Sequence, residues 1–163
     1  MLEPIIAFST FFTLIFFIIK SANKKREKQY EILIESFKKE TEIYVEQTKS
    51  ATMTFGLKNR DFLFNHCDLY LTKNAIVILG FTKDSFFKQL SLPIILTAEV
   101  NEFSNRFPFA YVKKTNKISF ENNIVKINFG EKEITKTEVE LKLISLNESE
   151  KNKIKQIAEK NCW

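Results

Sequence analysis

A β-hairpin is predicted by the stretch His66-Cys-Asp-Leu-Tyr-Leu-Thr-Lys-Asn-Ala-Ile-Val-Ile-Leu79. On both sides of its centre stand runs of β-branched, aromatic and other apolar residues, which favour strands. Lys73 and Asn74 between the runs form a short polar turn of the length that joins antiparallel strands. The sequence therefore predicts one strand over 68–72, a second over 75–81, and a tight turn between them.

More strands are predicted along the chain at 92–97, 109–112, 118–120, 124–129 and 139–143. In the last of these, apolar residues alternate with charged ones, which predicts one buried and one wet face. Asn147 and Glu150 then form a capping box, which predicts a helix from there to about Lys160. The core face of this helix consists of Ile154, Ile157 and Ala158.

The chain has 163 residues, of which 44% are hydrophobic, and this suffices for one small core but not for two ordinary domains. Because helices do not alternate with strands, a parallel-sheet nucleotide fold is not expected. The expected fold over 52–163 is a mainly antiparallel β-sheet followed by a C-terminal α-helix.

Six or seven antiparallel strands finished by one amphipathic helix resemble the pleckstrin-homology-like (PH-like) superfold, including the related GRAM domains. The closest local likeness is the hairpin quoted above, and the resemblance covers approximately Thr52 to Asn161. It implies two sheets that form an open barrel, with the C-terminal helix plugging one end. Ile154 and Ile157 would fill that role.

The resemblance also bears on partners. Lipid-binding members resemble one another in a basic cluster on the loop joining the first strands, whereas this chain offers only Lys58 and Arg60 there, followed by Asp61. The family also contains protein-binding and scaffolding members. The resemblance therefore implies a protein partner of unknown identity. The alternative is anionic lipid, with Lys58 and Arg60 as headgroup contacts.

The N-terminal segment carries no charged residue from Pro4 to Ile19. Its apolar side chains cover every face of a helix, which indicates a helix that is either wholly buried or in lipid. The run is shorter than the roughly 20 residues that span a bilayer, but its neighbours extend it and Lys20 can snorkel to the interface. We therefore predict a single-pass transmembrane helix within an anchor segment over 1–22.

A basic block follows the apolar run, and it consists of Lys20, Lys24, Lys25, Arg26 and Lys28. Its five positive charges and the one negative charge of Glu27 give +4 of the net +5, so nucleic acid is not an expected partner. Positive charge marks the cytoplasmic flank of membrane helices. This predicts an outer N-terminus and a cytoplasmic C-terminal domain at the inner (plasma) membrane, in a bacterium if the abundant Lys, Asn, Ile and Phe reflect an AT-rich genome. Each basic residue near anionic lipid would add about 1 kcal/mol of binding.

Residues 23–50 contain no Gly or Pro and predict a juxtamembrane amphipathic helix. Its apolar stripe consists of Tyr30, Leu33 or Ile34, Phe37, Tyr44 and Thr48. Three outcomes stay open for this stripe. It could dock on the folded domain, mediate self-association with the same helix of a second copy, or contact a partner.

Catalytic chemistry has no positive support in the sequence. Three glycines cannot build a phosphate cradle, and His66, Cys67 and Cys162 are too few for a structural zinc site. His66 and Cys67 are adjacent in a strand and point to opposite faces, so they cannot easily meet one substrate. We expect no enzyme, no cofactor and no metal. The predicted function is a membrane-anchored cytoplasmic binding or scaffolding module; the alternatives are an anionic-lipid-sensing peripheral module and, less favoured, an enzyme with an unrecognised site.

Overall fold

A computed structural model describes residues 2–56, 59–83, 88–131 and 136–163, and for residues 2–9, 12, 59 and 60 it describes the backbone alone. Its helices are α1 Leu2–Phe37, α2 Val100–Arg106 and α3 Glu148–Lys160, with a short 3-10 helix at Asn59–Phe62. Its strands are β1 Thr41–Phe55, β2 His66–Thr72, β3 Ala75–Phe81, β4 Ile94–Thr97, β5 Tyr111–Lys113, β6 Thr115–Glu121, β7 Ile124–Gly130 and β8 Glu138–Ile144.

The strands form one barrel-like, nearly closed sheet in the order β5-β4-β3-β2-β1-β8-β7-β6. β1 is 15 residues long and joins the two halves of this sheet, because its first part pairs with β2 and its second part with β8. The register with β2 shifts between Val45 and Thr48, and Gln47 has a φ of 49°. An irregularity of this kind bends a strand. It therefore lets β1 turn from one half of the sheet into the other.

The hairpin predicted at the centre of the sequence is confirmed. β2 and β3 pair antiparallel on either side of Lys73 and Asn74. The Thr72 hydroxyl oxygen accepts the Ala75 N–H at 2.9 Å, which fixes the turn. The strands predicted at 118–120 and 124–129 form a second hairpin, β6 and β7. Alternation and turn chemistry are local properties, so both hairpins could be found without knowing the rest of the fold.

The C-terminal helix is confirmed together with its capping box. The Asn147 side-chain oxygen accepts the Glu150 N–H at 2.9 Å, and a Glu150 carboxylate oxygen accepts the Asn147 N–H at 2.8 Å. Ile154 and Ile157 are buried in the same apolar cluster as the inner faces of the strands. α3 therefore closes the inner core of the sheet with the residues that the sequence predicted.

Apolar side chains cover part of the outer face of the sheet as well. Val77 and Leu79 of β3 and Ile95 of β4 pack there with residues from α1 and α2. All seven residues of β3 are consequently buried. A strand that is covered on both faces has no need for polar positions, and this explains the uninterrupted apolar run of β3.

The predicted transmembrane helix is wrong. Within the described part of the chain, no helix combines the length and the apolarity that crossing a membrane requires. Beyond Ile19 the same helix continues without a break into the basic block.

The predicted helix over 23–50 is wrong beyond Phe37, where α1 ends. Tyr44 and Thr48, which were expected on the helical stripe, lie in β1. The backbone of β1 pairs with β2 and β8, and these tertiary partners override a helix propensity that is weak for the run Ile43-Tyr44-Val45. As a division into domains, the boundaries after residues 22 and 50 stay predictions.

The sheet is mixed, and the expectation of antiparallel pairing throughout needs correction at one edge. β5 pairs with β4 in parallel, with Ile95 opposite Val112. Parallel neighbours require a crossover connection between them. Here α2 lies in that connection and carries the chain back to the start of the next strand.

Candidate functional site

The C-terminal half of α1 is fixed to the outer face of the sheet. Leu33 and Phe37 are each 1% exposed, and they pack on the outer apolar cluster of β3, β4 and α2. The Phe37 ring lies 5.9 Å from the Phe103 ring and 5.4 Å from the Phe107 ring, between ring centroids. Of the three outcomes that the sequence left open for this stripe, docking on the folded domain is confirmed for the residues within α1.

Polar contacts fix the middle of α1 to the same face. The Tyr30 hydroxyl lies 2.7 Å from the Gly80 carbonyl oxygen and 3.1 Å from the Ser91 carbonyl oxygen, and it donates to these acceptors. Burial raises the pKa of Tyr30 above its ordinary value, because the ionised form would lose its hydration. The hydroxyl is therefore a protonated donor throughout the physiological pH range.

Asn23 forms the last of these polar contacts toward the N-terminus. Its side-chain nitrogen donates to the Lys88 carbonyl oxygen at 2.5 Å, and its side-chain oxygen accepts the Leu90 N–H at 3.1 Å. The side-chain amide of Asn23 thus makes the two hydrogen bonds to the backbone at 88–90 that a peptide group of a neighbouring strand would make. From Asn23 to Phe37 the helix is held against the sheet, a length of about 21 Å at 1.5 Å per residue.

Cover by the described part of the folded domain is weaker at the N-terminal half of α1, where Ile18 lines an open groove with Leu63. Phe11, Leu14, Phe17 and Ile18 are 62%, 58%, 63% and 59% exposed. Large apolar side chains are exposed singly in many proteins, but four on two adjacent turns form a patch, and such patches mark interaction sites. The patch belongs to the segment that the sequence assigned to lipid.

One face of α1 joins this apolar patch to the basic block. At 100° per residue, Leu14, Phe17 and Ile18 fall on the same side of the helix as Lys25 and Lys28. All five are exposed. Tyr30, Leu33 and Phe37, which contact the sheet, centre about 140° away from this group around the helix. We call the exposed side, formed by Leu14, Phe17, Ile18, Lys25 and Lys28, the outer face of α1.

The basic block divides into two groups. Arg26 turns to the folded domain, where its guanidinium lies 3.3 Å from an Asp61 carboxylate oxygen. The other four members of the block are exposed and make no ion pair with any described residue: Lys20, Lys24, Lys25 and Lys28. The prediction that the block lies near lipid therefore stays open for these four lysines, whereas Arg26 has a structural partner within the chain.

The other site residues proposed from the sequence do not gather at α1. Lys58 lies outside the described residues, and Arg60 is described only as backbone within the 3-10 helix. Cys67 is fully buried in the inner core, and burial raises the pKa of its thiol to about 12. His66 lies on the other face of β2, with its ring centroid 6.0 Å from that of Phe81. The strand alternation that separates His66 from Cys67 is confirmed, and the absence of catalysis stays a prediction.

Lys88 and Asn23 are the site residues that the sequence did not reveal. Lys88 follows Lys20 by 68 positions along the chain, yet both residues line one groove beside α1. No local pattern marks it, since its place depends on how the chain between β3 and β4 returns to α1. The sequence signal that could have pointed to this place was Asn23 among the basic residues of the helix, and such an asparagine is not specific for a site.

Comparison with known families, with curated proteins and with solved structures finds no match. No fold relative therefore supplies a ligand or a reaction for this chain. Among the described residues, no three His, Cys, Asp or Glu side chains gather as a metal site would require. The function is therefore inferred from α1, which docks on the sheet by one side and exposes apolar and basic residues on another.

Proposed function

We propose that this chain is a PH-like module that binds the surface of an anionic membrane without crossing it. The outer face of α1 forms the contact, and the barrel-like sheet is held on the opposite side of the helix. The observation that carries the proposal is the continuity of exposed Leu14, Phe17 and Ile18 with exposed Lys25 and Lys28 on a helix fixed to a folded domain. An apolar stripe with flanking lysines is typical of helices that lie in the lipid headgroup region.

The two parts of the outer face contribute comparable energies. Burying a large apolar side chain from full exposure stabilises by about 1.5–3 kcal/mol, so each of the half-exposed side chains adds about 1 kcal/mol on entering the interface. Each lysine near an anionic surface adds about 1 kcal/mol. Together these contributions reach several kcal/mol, which is the range of reversible membrane association. Because the cytoplasmic leaflet carries the anionic lipids, the proposal places the folded domain on the cytoplasmic side.

Two features support the PH-like part of the proposal. Apart from β5, neighbouring strands pair antiparallel in one nearly closed, barrel-like sheet. α3 follows the last strand and inserts Ile154 and Ile157 into the inner core, in the role that the resemblance implied for these residues. In a PH-like module this arrangement leaves for a partner the part of the outer face that α1 and α2 do not cover.

Co-flotation of the full chain with lipid vesicles tests the proposal. Vesicles of phosphatidylcholine that contain phosphatidylglycerol should carry the chain, and pure phosphatidylcholine should carry much less. Lys25→Gln combined with Lys28→Gln should weaken binding about thirtyfold, because the pair contributes about 2 kcal/mol. Lys38→Gln combined with Lys39→Gln removes the same charge from exposed residues that follow the end of α1 and are outside its outer face. This pair should change binding by less than about twofold, because exposed charges away from the contact are screened. Equal losses from both pairs would contradict a specific outer face.

Recognition of a protein segment is the second candidate function, and the edge of the sheet favours it. β6 has seven residues, it is the last strand in the sheet order, and its one named neighbour is β7. Phe120 on this strand is 42% exposed. Edge strands accept extended segments from other chains. If the chain does not float with anionic vesicles, this candidate becomes the better account.

Self-association through α1 stays a prediction. The barrel-like sheet already buries Leu33 and Phe37. Two copies that paired while keeping this docking would therefore have to use the outer face of α1, which the membrane also requires in our proposal. Lipid binding and pairing of copies would compete for the same side chains.

A further inference from the structure

A groove of about 580 Å³ lies between α1 and the chain that returns toward β4. Its volume is in the range of small-molecule sites, which extends from about 300 to 1,000 Å³. Lys20 and Lys24 line it from the helix, and Lys88 lines it from the returning chain. Phe16 and Ile19 lie at its end nearest the apolar patch. The groove is distinct from the outer face of α1, which uses other residues.

The backbone around the groove is held in place by Asn23. Its two hydrogen bonds to the Lys88 carbonyl and the Leu90 N–H join the two sides of the groove. The Lys88 ammonium group lies 5.0 Å from the centre of the Phe81 ring, a cation–π distance. The two walls are therefore positioned before a ligand arrives, which lowers the entropic cost of binding.

The groove has an excess of positive charge. Lys20 and Lys24 are one helical turn apart, where like charges repel by about 0.2–0.5 kcal/mol. No described carboxylate forms an ion pair with Lys20, Lys24 or Lys88, although Asp68 attracts Lys88 from outside the lining. Together with Glu27, the residues that line the groove carry a net charge of three minus one, or +2. An anion bound in the groove beside Lys20 and Lys24 would relieve this repulsion. A phosphate monoester, with about −1.5 to −2 charge at pH 7, matches that net charge.

We propose that this groove binds one phospholipid with a phosphomonoester headgroup. The phosphate lies among Lys20, Lys24 and Lys88, and the start of an acyl chain lies along Phe16 and Ile19. Lysine binds phosphate as a point charge, so lysines that line a groove need no fixed planar geometry to hold it. The inference rests on the proposed function, because it names the lipid class that the membrane-surface module would select.

Calorimetric titration of the full chain with dihexanoyl phosphatidate, kept below its micelle concentration, tests the groove without a membrane surface. One lipid should bind per chain. Lys20→Gln combined with Lys88→Gln should weaken this binding by at least about tenfold, as expected when charge-assisted contacts are lost. Lys38→Gln combined with Lys39→Gln should leave it within about twofold, because those charges are outside the screening length. Lys24→Gln alone should weaken it by about threefold to tenfold and serves if the double variant folds poorly.

Two results would overturn the inference. The first is an equal loss of affinity in the groove variant and the Lys38/Lys39 variant, which would indicate diffuse electrostatics. The second is binding of inorganic phosphate as tight as that of the phospholipid, which would leave Phe16 and Ile19 without a role.

The titration and the flotation can fail independently. Monomeric phosphatidate binding without vesicle flotation would keep the groove and reject the membrane-surface function. Flotation that depends on Lys25 and Lys28, without any monomeric lipid binding, would keep the function and reject the groove.

Discussion

The two halves of α1 both carry large apolar side chains, but these side chains have opposite surroundings. In the C-terminal half, Leu33 and Phe37 are each 1% exposed. In the N-terminal half, Leu14 and Phe17 are 58% and 63% exposed, although the helix between the two halves is unbroken. The difference comes from the partner that each half meets. The folded domain supplies Val77, Ile95, Phe103 and Phe107 to one half, and the described residues supply no comparable cover to the other.

The apolar character of a helical residue does not determine which surface will bury it. Apolar side chains leave water whenever any apolar surface fits them, because the hydrophobic effect has no direction. The C-terminal half of α1 finds that surface within the chain. The N-terminal half does not find it within the described residues, and in our proposal it finds it in lipid.

The largest expected effect is the contrast between two phenylalanines of α1. Phe37→Ala should lower the free energy of unfolding by about 3–5 kcal/mol, since it leaves a cavity beside Phe103 and Phe107. Phe17→Ala should change it by less than about 0.5 kcal/mol in the absence of lipid, because Phe17 is exposed. Urea unfolding of both variants measures the difference. Comparable losses in the two variants would mean that the N-terminal half is also packed against the chain.

Tyr30→Phe should have an intermediate effect that depends on pH. Near pH 7 the variant loses the hydrogen bonds to Gly80 and Ser91, at about 1–2 kcal/mol. The folded protein raises the pKa of Tyr30, so this stabilisation is fully present below the unfolded pKa of about 10 and decreases as the pH rises above it. The gap between wild type and variant should therefore narrow between pH 9 and about pH 11. A gap of constant size across this range, measured by urea unfolding, would show that Tyr30 is not desolvated.

The smallest expected effect on the free energy of unfolding comes from the ion pair between Arg26 of α1 and Asp61. Arg26→Gln removes the contact with Asp61, whose side chain is 43% exposed. Exposed pairs contribute about 0–1 kcal/mol, so the free energy of unfolding should fall by no more than that, and less in high salt. A larger, salt-independent loss would show that Arg26 acts through its packing, including its contact with Gln29 at 3.1 Å.

Several parts of this structure could be predicted from the sequence because their causes are local. The β2–β3 hairpin follows from strand-forming residues around Lys73 and Asn74, and the start of α3 follows from Asn147 and Glu150. The core face of α3 follows from the spacing of Ile154 and Ile157. The same local reasoning located the basic block, and it gave the apolar stripe of α1 as far as Phe37.

The tertiary structure alone decided the rest, because the deciding partners are distant in sequence. α1 ends at Phe37 since the following residues, from Thr41 onward, pair with two strands whose positions the local pattern does not contain. The sequence left three outcomes open for Leu33, and the outer faces of β3 and β4 decide for docking because they supply the apolar surface on which it packs. Lys20 and Lys88 share a groove because Asn23 binds the returning chain 65 and 67 residues away. A helix pattern records which residues are apolar or charged, and only the assembled sheet determines which of them meet.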